Sequence, residues 1–338
     1  MGIEAVARRA KVSTATVSRT INNSPAVSPA TAARVRQAIA ELKYSPNANA
    51  KSLVLGRTHI LGIIVSDITN PFFPELIQGF ESVAIEHGYE IIVASSNYDS
   101  TRMDQCVRRL IQRSVDAVAI MTSEFDPAVI KQLTHLKMPT VFLDVGKVEK
   151  RVSNIRVDYS SGIREAVAHL LHLGHTRVGF LSGPRALKSA RIRQTAFLTS
   201  MREANIAEDP KLVVEGNHGI DGGLQAMRTL LRLHRPPTAV LASNDLTAIG
   251  AMHAIRRAGL GIPEGISVIG FDDIELARFT DPPLTTVRLS RGEIASAAFH
   301  ALMSVLRREK SYETKVVTHL VIRESTGPCT TQGPILIR

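Results

Sequence analysis

The side chains best suited to recognising another molecule lie near the N-terminus, on a short helical pattern that follows Ser13. Val17 and Ile21 are four residues apart and predict its buried face. The opposite face is small or hydrogen-bonding, and it comprises Thr14, Ala15, Ser18, Arg19 and Asn22. Such a face fits a DNA major groove, because small side chains allow close approach while Arg and Asn read base edges or phosphates.

Two flanking helices must hold this face in place. The first is predicted over residues 3–10, and Ser13 fits the N-cap of the middle helix because its hydroxyl can accept a bond from an orphan backbone N–H. The third opens with Ser28 and Pro29, a cap followed by proline at the first helical position. Two helices joined by a turn of about four residues form a helix-turn-helix. A small helical bundle that binds protein is the alternative.

Positive charge is concentrated around these helices. Residues 1–57 contain nine Lys and Arg side chains and two acidic ones, so seven units of the formal net charge of +10 lie in the first sixth of the 338-residue chain. Clustered cations attract phosphate groups, which favours a polyanion-binding head. A merely solvated basic surface would give the same count.

Motifs for other chemistries are missing from the sequence. It has no Gly-rich phosphate loop, no G-x-S-x-G and no H-E-x-x-H, so we predict neither an enzyme nor a bound cofactor. His169 and His172 lie on one predicted helix without a third ligand nearby in sequence, so we predict no metal site. The two cysteines, Cys106 and Cys329, are too distant in sequence for a disulfide framework. No signal segment or long apolar run is present, which predicts a cytoplasmic protein without a membrane span.

Motifs along most of the chain resemble those of the lactose-repressor (LacI/GalR-type) family of transcription regulators. The N-terminal motif reads V-S-x-x-T-V-S-R-x-x-N over residues 12–22. Further motifs follow in family order at residues 67–73, 169–175, 183–184, 244–250, 269–273 and 283–287. A series of motifs in the same order is far more specific than a single one.

The resemblance implies which residues of the head bind DNA. They are Ser13, Thr14, Ala15, Thr16, Ser18, Arg19 and Asn22. Thr14 and Ala15 lie at the N-terminal end of the helix and are expected to determine base identity. Ser13, Thr16 and Asn22 are expected to hold phosphates and fix the register, and the arginine can do either.

Residues 46–57 connect the head to the rest of the chain. Composition alone favours a flexible linker, because an isolated helix of this length is unstable. The resemblance implies instead a hinge helix that orders on DNA, one from each subunit, in the minor groove. Asn47 follows the head, Ala50 lets the two helices approach each other, and Leu53 wedges between base pairs.

Apolar runs alternate with helical patterns from residue 58 onward, as at 60–65, 117–120, 178–181 and 239–242. Continuous apolar strands between helices predict an α/β fold with parallel sheets covered on both faces. The resemblance implies a helix-turn-helix head over 1–45, a hinge over 46–57, a two-lobed periplasmic-binding-protein-like domain over 58–327 and a tail over 328–338. Its lobe 1 is expected over about 58–157 and 288–318, and its lobe 2 over about 159–285 and 319–327.

A small-molecule effector is expected between the lobes, beyond the carboxyl ends of the strands. By resemblance, Arg193 clamps the effector through two parallel N–H bonds, and Asn244 and Asp272 bond its hydroxyls. Taken alone, without the resemblance, Arg193 fits a surface salt bridge better than an effector clamp. Asp273 could instead cap a helix.

Three aromatic or aromatic-like positions complete the predicted effector site. Phe72 and Phe73 suit stacking on a sugar or a base, although such a pair also suits the core. His218 stands where the family often has an aromatic residue, and this departure admits a larger polar or charged ligand.

In the head, Lys11 replaces a family glycine, so we expect it to adopt a positive φ.

The expected function is a DNA-binding regulator, a repressor, that binds a palindromic operator as a homodimer and responds to a carbohydrate effector. It is expected in the bacterial cytoplasm, associated with the nucleoid. Two alternatives use the same scaffold: a solute-binding protein of the periplasmic sugar-binding type, and a sugar- or nucleotide-modifying enzyme. The absent signal segment and the basic head argue against the first. No activated nucleophile or acid/base pair is visible for the second.

Overall fold

The computed structural model describes residues 2–21, 23–44, 57–122, 124, 127–144 and 148–330. The chain divides after His59 into two compact units, a small N-terminal one and a much larger second one. No helix in the described part is both long and apolar enough to cross a membrane.

The N-terminal unit contains three helices: α1 (Ile3–Ala10), α2 (Thr14–Ile21) and α3 (Pro29–Glu41). Side chains cap the last two, as the sequence predicts. Ser13 Oγ accepts the N–H of Thr16 at 3.2 Å, and Ser28 Oγ accepts the N–H of Thr31 at 3.4 Å. These caps satisfy orphan donors, so the turn that precedes α2 is fixed locally.

The helices of this unit close around a small apolar core. Val6, Val17 and Val35, one from each helix, are fully buried there. Lys11 ends α1 with a φ of 51°, which confirms the predicted positive φ, and its N–H donates to Ala7 and Arg8. The three-helix order and the turn between α1 and α2 confirm the helix-turn-helix.

The second unit is built on two six-stranded sheets, one in each lobe. Lobe 1 uses β1 (Ile60–Val65), β2 (Glu90–Ser95), β3 (Ala117–Met121), β4 (Thr140–Leu143), β5 (Val152–Asp158) and β11 (Glu313–Val317). Lobe 2 uses β6 (Val178–Ser182), β7 (Val213–Glu215), β8 (Ala239–Ala242), β9 (Ser267–Asp272), β10 (Thr285–Arg288) and β12 (His319–Val321). The strand orders are β11-β5-β4-β3-β1-β2 and β12-β10-β9-β8-β6-β7, and every pairing is parallel except β10 with β12.

Helices cover the faces of both sheets. Those of lobe 1 are α4 (Phe72–Glu86), α5 (Ser100–Gln112), α6 (Pro127–His135) and α11 (Arg291–Leu306). Those of lobe 2 are α7 (Tyr159–His172), α8 (Lys188–Glu203), α9 (Ile220–Leu231) and α10 (Asp245–Arg257). The chain passes between the lobes after Asp158, after Arg288 and at Thr318, whose hydroxyl donates to the Asp158 carbonyl at 2.7 Å.

Burial explains the continuous apolar runs of the sequence. Every residue of β3, β6 and β9 is buried, as expected for strands covered on both faces. Leu212 is apolar like the first residues of β7 but precedes that strand, because it belongs to a short 3-10 turn that Asp209 caps. The segments that follow β3, β4 and β9 bond across the two lobes, so the carboxyl ends of strands from both sheets meet at the boundary between them, which is called the cleft below.

Candidate DNA-reading surface and ligand cleft

The outer face of α2 is available for contact with another molecule. Thr14, Ala15 and Arg19 are exposed and Ser18 is half-buried, while Val17 is fully buried beneath them. Thr20 is also buried, a polar position that the sequence did not indicate, and its hydroxyl donates to the Thr16 carbonyl at 2.9 Å. The short, polar outer face therefore stands on a firmly packed helix.

Ser13 and Thr16 are bound to each other at the start of α2. Besides the N-cap bond, their hydroxyl oxygens lie 3.0 Å apart. Both hydroxyls stay at the surface, where a phosphate can meet them together with the helix N-terminus. Four predicted DNA-binding residues, Asn22, Asn47, Ala50 and Leu53, lie outside the described residues.

Most of the cations of the head have no acidic partner. Arg9 pairs with Glu41 at 2.6 Å. Over residues 2–21 and 23–44 the structure contains no ion pair for the other cations, which are Arg8, Lys11, Arg19, Arg34, Arg36 and Lys43. Their charge is therefore free to attract an anionic partner.

The two lobes meet across the cleft through a buried carboxylate. Asp144 follows β4 in lobe 1 and accepts hydrogen bonds from the Val157 N–H at 2.8 Å and from the Tyr159 hydroxyl of lobe 2 at 2.7 Å. Lys188 of lobe 2 donates to the Asp144 carbonyl at 2.5 Å. Burial raises the pKa of Asp144, and these hydrogen bonds oppose the rise.

A second cross-lobe contact joins Glu124 to the start of α8. The Glu124 carboxylate accepts the N–H of Lys188 at 3.0 Å and both the N–H and the hydroxyl of Ser189 at 3.1 Å. A helix N-terminus favours negative charge, so this carboxylate is well placed electrostatically. The sequence contained no signal for this contact, because its partners are about 64 positions apart.

A third contact lies between α4, α11 and the end of β9. Glu75 pairs with Arg291 at 2.7 Å and also accepts the N–H of Glu275 at 3.3 Å. Arg291 in turn donates to the Asp272 carbonyl at 2.8 Å. Because Glu75 and Arg291 belong to lobe 1 and the other two residues to lobe 2, this network also spans the cleft.

Arg193 is buried in the cleft rather than exposed, so the surface salt-bridge interpretation is wrong. Its guanidinium donates to the Ser243 carbonyl and lies 3.5 Å from the Asp272 carboxylate. The guanidinium carbon is 4.2 Å from the ring centre of Phe271 and 5.3 Å from that of Tyr159. Arg193 Nε is buried without a hydrogen-bond partner in the described part of the chain, which leaves one donor available to a ligand.

Asp272 ends β9 with a φ of 111°, an uncommon backbone conformation for a residue with a side chain. Burial raises the pKa of its carboxyl to about 6, although the charges of Arg193 and Arg291 oppose the rise. Asp273 does not cap a helix, contrary to one sequence-based interpretation. Its carboxylate pairs with Arg288 at 2.6 Å and with Arg323.

His218 lies buried behind the cleft face of lobe 2. Gly183 has no room for a side chain, because an added Cβ would lie 1.7 Å from His218 Nε2. Asn244 Nδ2 donates to the His218 carbonyl at 2.8 Å, and its Oδ1 accepts the N–H of Thr247 at 2.9 Å. Burial, and then the charge of Arg193, lower the pKa of His218 to about 3, so its imidazole is neutral.

Phe72 and Phe73 begin α4 and pack edge to face, with ring centres 5.2 Å apart. Both are largely buried, with exposed fractions of 5% and 8%, in the apolar core that adjoins the cleft. Tyr98, which the sequence analysis missed, follows β2 with a φ of 58°. Burial raises the pKa of its phenol, and the charges of Asp67 and Asp272 raise it further.

The described residues contain no group of three or more His, Cys, Asp or Glu side chains that could hold a metal ion. His169 Nε2 instead bonds the Thr326 hydroxyl at 3.0 Å. His175 bonds Thr238 and the Gly327 carbonyl, each at 2.9 Å. These histidines therefore hold the C-terminal segment against lobe 2.

Known protein families match both the N-terminal head and the larger domain of the chain. A model for bacterial regulatory proteins of the lacI family matches residues 2–47, and a model for the periplasmic binding protein-like domain matches residues 167–326. The chain is 36% identical to the ribose operon repressor of Escherichia coli K12, over 88% of this chain and 91% of the relative. It is 34% identical to the transcriptional repressor CytR of the same organism, over 95% of each chain.

Among solved structures, the lac repressor dimer bound to operator and the anti-inducer ONPF matches with a TM-score of 0.89 and 28% identity, over 97% of this chain and 99% of that chain. These matches cover the head of this chain as well as the larger domain, and the relatives are named as repressors, so the regulatory interpretation replaces the solute-binding alternative. The named relatives are repressors rather than enzymes. The chain belongs to the lacI family of bacterial regulatory proteins.

Proposed function

We propose that this protein is a homodimeric repressor that binds a palindromic operator through α2. Its affinity for the operator changes when a carbohydrate-like effector binds between the lobes. The observation that carries the proposal is Arg193, a buried guanidinium with an unpartnered Nε, in a chain whose head exposes a short polar helix. Such a donor is costly to bury without a ligand to bond it. The protein has no catalytic role in this proposal and works in the cytoplasm on the nucleoid.

DNA recognition is assigned to the exposed side of α2. Thr14 and Ala15 read bases in the major groove because they are exposed at the end of the helix that enters it. Ser13 and Thr16 hold a phosphate at the helix N-terminus, and Arg19 adds a phosphate or base contact. Ser18 and Asn22 complete this surface.

A hinge helix in the minor groove is the second DNA contact in the proposal. Asn47 links it to the head, Ala50 permits two such helices to approach, and Leu53 inserts between base pairs. In the proposal this segment becomes ordered on DNA, and the effector changes operator affinity by favouring or disfavouring that ordered state.

The effector is held mainly from lobe 2. Arg193 and Asp272 face it as a charged pair, and His218, whose Nε2 packs against Gly183, supports the wall behind them with a neutral ring. Both ends of the Asn244 amide are already bonded within the protein, so Asn244 acts on the ligand indirectly. Its amide holds the loop that carries His218 in place. Phe72 and Phe73 form the apolar floor on the lobe 1 side.

Dimerisation is assigned to apolar side chains that stand exposed on both lobes. Leu276 lies in a 3-10 turn of lobe 2 and Phe279 caps its end; they are 49% and 76% exposed. Ile85 of α4 and Val93 of the edge strand β2 are 63% and 42% exposed. Large exposed apolar groups of this kind mark protein interfaces.

Selection from a random duplex pool tests the proposal. The full chain is expected to enrich a palindromic sequence and to prefer it to scrambled DNA by about a thousandfold, with an affinity that falls steeply with salt. The Leu53→Ala variant should lose much more specific than non-specific affinity. No enriched sequence, at low salt and with candidate sugars present or absent, would overturn the proposal.

A further inference from the structure

We propose that lobe 1 contains a second ligand site, a basic pocket that binds a small organic anion with about two negative charges. This basal pocket lies at the amino ends of β4, β5 and β11, whereas the cleft lies at the carboxyl ends of the lobe 1 strands. Its volume of about 930 Å³ is within the range of small-molecule sites. The pocket is separate from the effector cleft, so the inference goes beyond the proposed function.

Three segments of the chain form the walls of the basal pocket. They are the end of α6 up to Lys137, the turn at 148–151 before β5, and residues 305–311, where α11 ends. The charged side chains of the lining are five cations and two carboxylates: Lys137, Lys150, Arg151, Arg308 and Lys310, and Glu149 and Glu309. Each segment contributes at least one of the cations.

Hydrogen bonds hold the three segments against one another. Two backbone bonds, at 3.1 and 2.9 Å, close the turn 149–152. Arg151 Nη1 donates to the Lys137 carbonyl at 2.6 Å, which joins this turn to the end of α6. The N–H of Tyr312 donates to Ser153 Oγ at 3.2 Å, which joins the third segment to the start of β5. The backbone that presents the cations is therefore already organised, which lowers the entropic cost of binding a ligand.

The cations of the basal pocket have no acidic partner in the described part of the chain. None of its five Lys and Arg side chains forms an ion pair there, and neither do Glu149 and Glu309. In the cleft, by contrast, Arg193 and Arg291 are each paired with a carboxylate. An anion that enters the basal pocket can therefore pair with cations without displacing a carboxylate of the protein.

Helix ends explain only part of this positive charge. Lys137 and Arg308 follow α6 and α11 with φ values of 53° and 64°, the left-handed backbone that is common just after a helix. Cations are favoured there, because each helix C-terminus has roughly half a negative charge. Five cations, two carboxylates and these two helix ends leave roughly two positive charges in the pocket. A phosphate monoester, with a charge of about −1.5 to −2 at pH 7, or a dicarboxylate matches this excess.

The uncharged part of the lining suits the carbon skeleton of such an anion. Val305 is buried at the end of α11, and Val148 is 42% exposed beside the turn. Ser311 and Thr134 add hydroxyls to the walls, and the Thr134 hydroxyl is buried without a hydrogen-bond partner among the described residues. Apolar surface and hydroxyls beside the cations favour an organic anion over a bare inorganic one.

Isothermal titration of the full chain tests the proposal. The probes are glucose 6-phosphate, glycerol 3-phosphate and succinate, with glucose and glycerol as uncharged counterparts. At least one dianion is expected to bind, with an affinity that falls as the salt concentration rises. Binding of a phosphate ester without succinate identifies the ligand as a phosphate monoester, and the reverse identifies a dicarboxylate. If none of the three dianions binds at low salt, the proposal is overturned.

A double variant shows whether the anion binds in the basal pocket. Lys150→Gln with Lys310→Gln removes two exposed cations of the lining and should weaken binding of the dianion by about 10-fold or more. Lys211→Gln with Arg232→Gln removes two exposed cations of lobe 2 and is the control for net charge, with an expected change below about 2-fold. Equal effects of the two double variants would overturn the proposal, because the anion would then bind elsewhere or respond to net charge alone.

Duplex DNA is the other polyanion that a basic surface attracts. Fluorescence anisotropy with a scrambled duplex measures how much each double variant weakens binding to DNA. The two are expected to weaken it equally, since each removes two positive charges from the large domain. A greater loss of DNA affinity in Lys150→Gln with Lys310→Gln, together with unchanged binding of the dianion, would assign this surface to DNA and overturn the proposal.

Discussion

Glu124 of lobe 1 accepts both the backbone N–H and the hydroxyl of Ser189 at the start of α8 in lobe 2, each at 3.1 Å. One carboxylate thus ties the lobes together at the mouth of the ligand cleft. Any motion that opens the cleft at this point must break these bonds. Glu124 is therefore placed to couple ligand binding to the arrangement of the two lobes.

Replacing Glu124 should destabilise the two-lobed domain. Glu124→Ala is expected to lower the free energy of unfolding by about 1–3 kcal/mol, because charge-assisted bonds to a helix N-terminus are lost. Urea unfolding followed by circular dichroism measures this loss. Glu203→Ala, at the far end of α8 in an exposed pair with Arg164, is the control and should cost much less. If both variants lose the same free energy of unfolding, the role of Glu124 in holding the lobes together is contradicted.

Arg193 should decide whether the effector binds. Arg193→Lys keeps the charge but loses the planar guanidinium and its Nε donor, so we expect the effector-induced rise in Tm to vanish while operator binding remains. In the wild type, a ligand at 100 times its Kd stabilises the domain by about 2.7 kcal/mol. Thermal shift assays measure both proteins. Arg191→Lys, two residues away and exposed, should keep the full shift. A shift that survives Arg193→Lys would show that the pocket lies elsewhere.

Asp272 should make stability depend on pH in an unusual direction. Burial raises the pKa of its carboxyl from 3.8 to about 6, so the folded state binds the proton more tightly than the unfolded state. The stabilisation is complete below about pH 4 and is lost as the pH rises through 6, a change of about 3 kcal/mol for a shift of this size.

Asp272→Asn is expected to remove this component. The difference in free energy of unfolding between wild type and variant, measured by urea titration from pH 4 to pH 8, should therefore fall as the pH rises. A difference that stays flat over this range would mean that Asp272 titrates like an exposed carboxyl.

Phe279 should hold the dimer together. Its ring is 76% exposed, so Phe279→Ser should leave the fold of the subunit intact while it weakens self-association by about 10-fold or more. Sedimentation equilibrium measures the dimer Kd. Ile322→Ser, an exposed apolar residue that follows β12 at one edge of the lobe 2 sheet, serves for comparison. A dimer that responds to Ile322→Ser instead would move the interface to that edge.

Local signals in the sequence predicted the head and most strands. The cap at Ser13, the cap and proline at Ser28 and Pro29, and the valine core each depend on neighbours within a few positions. Continuous apolar runs such as 117–121 are buried strands. Strand β5 gave no such signal, because Ser153 and Asn154 are polar and yet buried. Ser153 Oγ accepts the N–H of Tyr312, and the Asn154 amide donates to Glu313 at 2.7 Å.

The ligand cleft was only partly predictable. Asp272 lies within a motif and Arg193 matches a family arginine, so resemblance suggested both. Glu124 and Asp144 bond to partners in the other lobe, Tyr98 lies among charges from both lobes, and no local pattern marks any of the three. The pKa of a buried carboxyl likewise depends on the assembled surroundings rather than on residue type.

Operator affinity measured with and without effector tests the central claim most directly, since that claim joins reading by α2 to control by the cleft. Fluorescence anisotropy of the full chain on its selected duplex should show a change in Kd of about 5-fold to 150-fold at saturating effector. The Arg193→Lys variant should show none, and scrambled DNA should be unaffected. An operator Kd that stays the same in wild type when a bound effector saturates the cleft would contradict the account.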